Sequence, residues 1–128
     1  MDNNRYLWFT ATTIPNYEVK VAEDLKAIRD NDNLFEIREV IVPMEKYTTA
    51  KGLEKERPKY PSYFYVKILV DSNDQPPTNI WHRIRNIKGC IGLLQRDKYM
   101  IGMDDFDLKE SLDLTDEKIA ELAVRKNL

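Results

Sequence analysis

Aromatic and β-branched residues crowd the stretch from Arg5 to Thr13 (Arg-Tyr-Leu-Trp-Phe-Thr-Ala-Thr-Thr), with neither Gly nor Pro to interrupt it, and this predicts a core strand. Pro15 ends it. Beyond, Tyr17, Val21, Leu25 and Ile28 recur at spacings of four, four and three, which places one apolar stripe along a helix reaching about Asp30, with Asn16 as its expected cap. The polar run Asp30-Asn31-Asp32-Asn33 breaks that helix. Ile37 to Pro43 (Ile-Arg-Glu-Val-Ile-Val-Pro) then reads as a second strand, with Thr49 as the furthest residue it could reach. Ala50 to Lys59 is polar and charged and holds Gly52 and Pro58, the composition of a long connecting hairpin loop.

Tyr63 to Val70 (Tyr-Phe-Tyr-Val-Lys-Ile-Leu-Val) is the strongest strand signal, and its near-continuous apolarity predicts a central position in a sheet. After Pro76-Pro77, Thr78 is the expected cap of a short helix with Ile80, Trp81 and Ile84 on its buried side, ending near Asn86. A last strand is expected around Cys90 to Leu94. Thr115 should cap a final helix over about 115–126, with Asp116 and Glu117 set against its dipole and Leu114 and Ile119 at the spacing of a hydrophobic staple. The order β, α, β, β, α, β, α is that of a split βαβ unit: an α+β fold, with a four-stranded antiparallel sheet and flanking helices, as in ferredoxin-like domains. That arrangement hosts RNA binders, metal chaperones, small enzymes and docking modules alike, so function has to come from particular residues.

Composition narrows the choice. A chain of 128 residues with 42% hydrophobic and 33% charged positions has the size and make-up of one globular domain, and it holds no apolar run long enough to span a membrane. The opening Met1-Asp2-Asn3-Asn4-Arg5 lacks the basic flank and apolar core of a secretion signal, so a cytoplasmic location is expected. A single cysteine, Cys90, and a single histidine, His82, rule out an internal disulfide and a Cys/His zinc set, and no cofactor is expected. With no Gly-rich phosphate loop and no nucleophile elbow, an enzyme is the poorest of the readings. Asp104, Asp105 and Asp107 offer at most a casual cation site, and an acidic loop is the simpler reading.

The formal net charge is −2, but it is uneven. Between Asn79 and Lys98 stand Arg83, Arg85, Lys88, Arg96 and Lys98 against the single acid Asp97, whereas eight acids face four bases from Tyr99 onward. A local basic patch is therefore plausible, although such a cluster is more often just a solvated face.

Four segments carry a resemblance. They are Trp8-Phe9-Thr-Ala-Thr-Thr-Ile-Pro-Asn-Tyr17-Glu18, Val40-Ile41-Val42-Pro43-Met-Glu45, Tyr60-Pro61-Ser62-Tyr63-Phe64-Tyr65-Val66 and Trp81-His82-Arg83-Ile84-Arg85-Asn86-Ile87-Lys88-Gly89. In order and spacing they resemble the N-terminal domain of NusG-type transcription elongation factors, which reads approximately W-Y-x-x-x-x-x-S-G-x-E, V-x-V-P-x-E, F-P-G-Y-V-x-V and W-x-x-V-R-x-x-x-G-V. The likeness runs from Arg5 to Leu94 and resumes at Leu114-Thr115-Asp116-Glu117. Singly each motif is weak; four in order on matching elements are not.

The resemblance implies a protein that docks through an aromatic depression onto the clamp helices of the RNA polymerase largest subunit, reaches across the DNA cleft, and modulates pausing, termination and antitermination. It also implies that Trp8, Tyr60, Pro61 and Tyr63 line the docking surface, with Phe9 and Ile14 as weaker members. Trp8 and Tyr63 lie on strands, where an aromatic is as readily core as interface. Arg83, Arg85, Asn86, Ile87 and Lys88 fall where family members touch the non-template DNA strand: Asn86 could bond a base edge, and the three cations could attract phosphates. Ile87 stands where base-reading members carry a hydroxyl, so charge rather than sequence is expected to dominate. His82 faces either the gate loop of the second-largest subunit or no partner, and the second is preferred.

Ser62 replaces the family's usual Gly, and Ala11 to Pro15 lacks its Ser-Gly pair. The family continues through a linker into a KOW domain that binds other factors, whereas this chain stops at Leu128, so it is expected to be a single domain over 1–128, core 5–95, with the KOW domain truncated or absent. The rival reading is a ferredoxin-like RNA-binding module in which Tyr63, Phe64 and Tyr65 stack bases on an open sheet. Ser62-Tyr63-Phe64-Tyr65-Val66-Lys67 lacks the Lys/Arg-Gly of such a strand, which counts against it.

Overall fold

A computed structural model of the chain describes residues 5–124. Its main sheet is wholly antiparallel and follows the path β2 (Ile37–Ile41), β5 (Tyr63–Leu69), β1 (Tyr6–Thr13), β6 (Cys90–Leu93). These are the four strands expected from the sequence. A short fifth strand, β9 (Gly102–Met103), pairs with the first half of the outer edge of β1, while β6 takes the second half. β5 is central, as its apolarity predicted.

Strand alternation divides the side chains between two faces. Leu7, Phe9 and Ala11 of β1 lie opposite Ile68, Val66 and Phe64 of β5 and form one core with α1 (Glu18–Asn31) and α2 (Thr78–Arg85), through Val21, Leu25, Ile80 and Ile84. On the other face Trp8, Thr10 and Thr12 stand opposite Lys67, Tyr65 and Tyr63. A second core builds there, in which Trp8, Ile41 and Tyr65 are covered by Leu108 and Leu112 of α3 (Asp105–Leu112) and by Ile119 and Leu122 of α4 (Asp116–Val124). The sheet is thus covered on both faces, and no open aromatic platform is left for base stacking.

Several local expectations change. The stretch expected to be a loop from Ala50 to Lys59 contains β4 (Glu54–Pro58), which pairs with β3 (Met44–Thr48) in a free-standing hairpin. Alternating charges, Glu45 opposite Arg57 and Lys46 opposite Glu56, leave this hairpin no apolar face for periodicity to reveal. The second strand accordingly stops at Ile41 and does not run on to Thr49. Asp104 to Asp107 is not a loop but the start of α3, whose N-cap Asp104 accepts a hydrogen bond from the Asp107 amide at 2.8 Å. A second small hairpin, β7 (Gln95–Arg96) with β8 (Tyr99–Met100), also escapes the sequence reading.

Asn16 does not cap α1. It takes φ 72, and the cap position is Tyr17, without a side-chain bond. Thr78 is likewise inside α2, whose cap is Pro77. Thr115 does cap α4, accepting from the Lys118 amide at 3.1 Å, and Leu114 packs in the same core as Ile119. The expected last turn of that helix, 125–126, lies outside the described residues. No helix among the described residues is long and apolar enough to cross a membrane.

Candidate docking surface and basic helix

Three loops meet at one end of the sheet. The Thr13 amide donates to Ser62 O at 2.8 Å and the Ile14 amide to Gly89 O at 2.9 Å, so the end of β1, the turn before β5 and the turn after α2 lie side by side. The middle one is Tyr60-Pro61-Ser62-Tyr63, closed by Tyr63 N–H donating to Tyr60 O at 3.1 Å, with Pro61 second and Ser62 third at φ 71. Those are the marks of a type II turn, whose third position favours Gly because only there is a positive φ free of strain. Ser62 therefore holds a left-handed conformation that the family's glycine would adopt more readily, and Asn16, at φ 72, does the same at the entry to α1.

What holds this turn is Glu18. Its side chain is buried at 3% exposure, and Oε2 accepts the Ser62 amide at 2.5 Å. A charged acceptor on a backbone N–H inside the protein is a strong tie. It explains why a glutamate belongs in the first motif: it fastens α1 to the turn that presents Tyr60 and Pro61.

The expected docking residues separate into two groups. Pro61 is exposed, Ile14 and Tyr63 are 43% and 39% exposed, and the backbone bonds just described bring all three to the same end of the sheet. Tyr60 is half-buried, with its ring edge-on to Tyr65 at 6.3 Å and its hydroxyl 3.5 Å from Leu112 O. Trp8 and Phe9 are placed elsewhere. Phe9 lies in the first core without exposure, and Trp8, 1% exposed, lies under α3. The Trp8 indole Nε1–H donates to Asp105 Oδ1 at 2.7 Å, and Lys67 Nζ, 5.8 Å from the ring centre, also reaches Asp105 Oδ1 at 3.0 Å. Burial raises the Asp105 carboxyl, but the bonds from Trp8 and Lys67 and the charges of Lys67 and Lys109 outweigh it, and the net shift is downward. Trp8, as placed, ties the second cover to the sheet.

The basic segment is also divided. Arg83 is ion-paired with Asp32 of the α1 C-terminus. Arg85 is exposed and lies over the Trp81 ring at 5.3 Å, Asn86 is the exposed C-cap of α2, and Lys88 is exposed in the following turn. Ile87 is 7% exposed and belongs to the first core, so its side chain is not offered to a ligand. His82 is exposed, edge-on to Trp81. Gly89 at φ 92 sits so close to Tyr17 that a Cβ would come within 2.3 Å of the ring, which fixes Gly here and holds the basic turn against α1. Among the described residues no group of His, Cys, Asp and Glu could hold a metal ion. Burial pushes the Cys90 thiol up, only partly offset by a backbone hydrogen bond at Gly92, so it is a poor nucleophile.

Residues 6–112 match the family described as transcription termination factor NusG. The chain belongs to the NusG family. No curated protein matches it. Among solved structures, one describing domain interaction in Thermotoga maritima NusG superposes with a TM-score of 0.63 at 14% identity, covering 86% of this chain and 57% of that one. At that identity the likeness establishes the fold. This chain spans a little over half the length of the T. maritima NusG chain.

Two residues important to the arrangement were not assigned roles from the sequence. Glu18 finds its partner, Ser62, 44 residues on, and Asp105 meets Trp8 across 97 residues. Neither separation leaves a local signal.

Proposed function

We propose that this chain is a transcription elongation and antitermination factor domain that acts in the cytoplasm by binding the clamp helices of RNA polymerase and bridging the DNA cleft. The observation that carries this reading is the match to the NusG family over residues 6–112, joined to a surface that presents Ile14, Pro61 and Tyr63, with Tyr60 at its rim, at one sheet end. Large rings and a proline on a turn fixed by Glu18 bury apolar area at little entropic cost, as a docking anchor requires. Arg85, Asn86 and Lys88 contact the non-template strand without reading its sequence, since Ile87 is withdrawn into the core. Binding of this kind shifts polymerase between its open and closed populations and involves no covalent step.

Pull-down on isolated clamp helices tests the reading. Tyr60→Ala should weaken capture by about 1 to 3 kcal/mol, the range for an interface aromatic, while circular dichroism stays unchanged. Undiminished capture by a folded Tyr60→Ala protein rejects the assigned surface. The ferredoxin-like RNA-binding alternative loses its platform, because Phe64 is buried against the helices of one face and Tyr65 beneath α3 and α4 on the other.

A further inference from the structure

About half of the cations among the described residues are neutralised where they stand. Arg5, Lys20, Lys26, Arg29, Lys46, Arg57, Lys67, Arg83 and Lys118 each face a carboxylate. Arg85, Lys88, Arg96 and Lys98 do not: among the described residues none of the four has an acidic partner. Two lie on or just after α2, and two lie in the β7–β8 hairpin. Between α2 and the base of the hairpin lies a surface groove, lined by Trp81 and Arg85 of α2, by Gly92, Leu93 and Leu94, and by Gln95 of β7, next in sequence to Arg96. The indole Nε1–H of Trp81, buried at this groove, has no acceptor within the protein among the described residues.

The hairpin is held firmly at its base. Gln75 grips Met100 twice, its Oε1 accepting the Met100 amide at 2.9 Å and its Nε2 donating to Met100 O at 3.2 Å. The Leu94 amide donates to Thr10 O at 2.8 Å and the Ile101 amide to Leu94 O at 3.2 Å. At the tip Arg96 pairs across the strands with Tyr99, so the two share one face, and Tyr99 is 57% exposed. A fixed arm carrying an unneutralised guanidinium beside an exposed ring matches the two demands of a nucleic-acid strand, phosphate attraction and base stacking. The four residues of β6 that separate the two basic pairs span roughly 13 Å at about 3.3 Å per residue, room for more than one nucleotide.

We propose that the β7–β8 hairpin is a finger that continues the basic surface of α2 across the Trp81 groove, and that the two together hold single-stranded DNA. The proposal rests on the reading of α2 as a non-template-strand contact and extends it to residues that reading does not include. Phosphates lie along Lys88, Arg85, Arg96 and Lys98, and a base stacks on Tyr99.

The test is titration of the whole chain onto a fluorescent oligothymidylate of about sixteen nucleotides, between about 50 and 200 mM salt. Four phosphate contacts give log K against log salt a slope of about −2.8 on single strands. Arg85→Ala with Lys88→Ala, and Arg96→Ala with Lys98→Ala, should each reduce that slope by about 1.4. Tyr99→Ala should lower affinity roughly tenfold with the slope unchanged. Asp97→Asn keeps a residue suited to the φ of 57 at the tip and removes its acid, and it should raise affinity two- to threefold by roughly the effect of one weak charge. A gain of that kind cannot come from misfolding. An unchanged slope in the Arg96/Lys98 variant overturns the finger, and if the Arg85/Lys88 variant still loses slope, the α2 reading survives alone. Unchanged slopes in both variants, or no binding at the lowest salt, overturn the two together. An oligouridylate that competes tenfold better than DNA overturns the assigned occupant.

Discussion

Asp105→Ala separates the structural role of Trp8 from any role in docking. The substitution removes the acceptor of the Trp8 indole N–H at 2.7 Å and a partner of Lys67 at 3.0 Å. A hydrogen bond to a charged group contributes about 1.5–3 kcal/mol, and the ring that donates it is 1% exposed. The carboxylate itself is 59% exposed, so water can enter the vacated position and the Lys67 pair adds less than about 1 kcal/mol. The total is about 2 kcal/mol. With about 2.1 cal/mol/K of unfolding entropy per residue over 128 residues, Tm should fall by about 7 °C. Thermal denaturation followed by circular dichroism measures this. In a Trp8→Phe background, which keeps a ring but no N–H, the same substitution should cost only the Lys67 pair, leaving a coupling of about 1.5 kcal/mol. A coupling under about 0.5 kcal/mol would refute the role assigned to this bond. Because the Asp105 pKa is lowered on folding, its contribution is present above the ordinary carboxylate value of 3.8 and is lost as pH falls through the folded value, so the variant should lack that part of the acid dependence.

Glu18→Ala should destabilise the domain by about 1–3 kcal/mol by removing the acceptor of the part-buried Ser62 amide, and should also weaken capture by clamp helices, with denaturant unfolding and pull-down as the two readouts. Ser62→Gly should stabilise by up to about 1 kcal/mol, since it relieves a left-handed serine at the cost of a freer unfolded chain; a loss of stability in urea unfolding would count against the type II turn. Burial, then the neighbouring Tyr60 and Tyr63, push the Tyr65 phenol up to about 12. The stability it contributes is therefore whole below pH 10 and is lost as pH rises through about 12, a dependence that Tyr65→Phe should abolish in melts at alkaline pH.

The elements with a strong apolar signal were readable from the chain alone: β1 and β5 by near-continuous apolar and aromatic residues, α1 and α2 by a one-sided stripe. The β3–β4 hairpin was not, because it has no buried face and is held by cross-strand charges such as Glu45 with Arg57. α3 was hidden by its own cap, since Asp104, Asp105 and Asp107 read as a polar loop while only Leu108 and Leu112 mark its inner side. Burial sorted the candidate site. Ile14, Pro61 and Tyr63 reach the surface together, whereas Phe9, Trp8 and Ile87 carry the same apolar signature in the sequence and turn inward. A motif fixes which residue stands at a position but not which side of a strand faces solvent once a second cover, built from residues a hundred positions later, folds over it.

That second cover gives the domain a history during synthesis. The fully buried side chains of the first core end at Leu93, with only Met100 packing on it from further along, so β1, α1, β2, β5, α2 and β6 can close most of one side of the sheet early in synthesis. The other side must wait for Leu108 through Leu122. At roughly 5–20 residues per second, the nascent chain spends seconds with Trp8, Ile41 and Tyr65 uncovered on a finished sheet. Throughout that interval it is half a domain with a sticky side, open to chaperones and to neighbouring chains, and only the arrival of α3 and α4 ends its exposure.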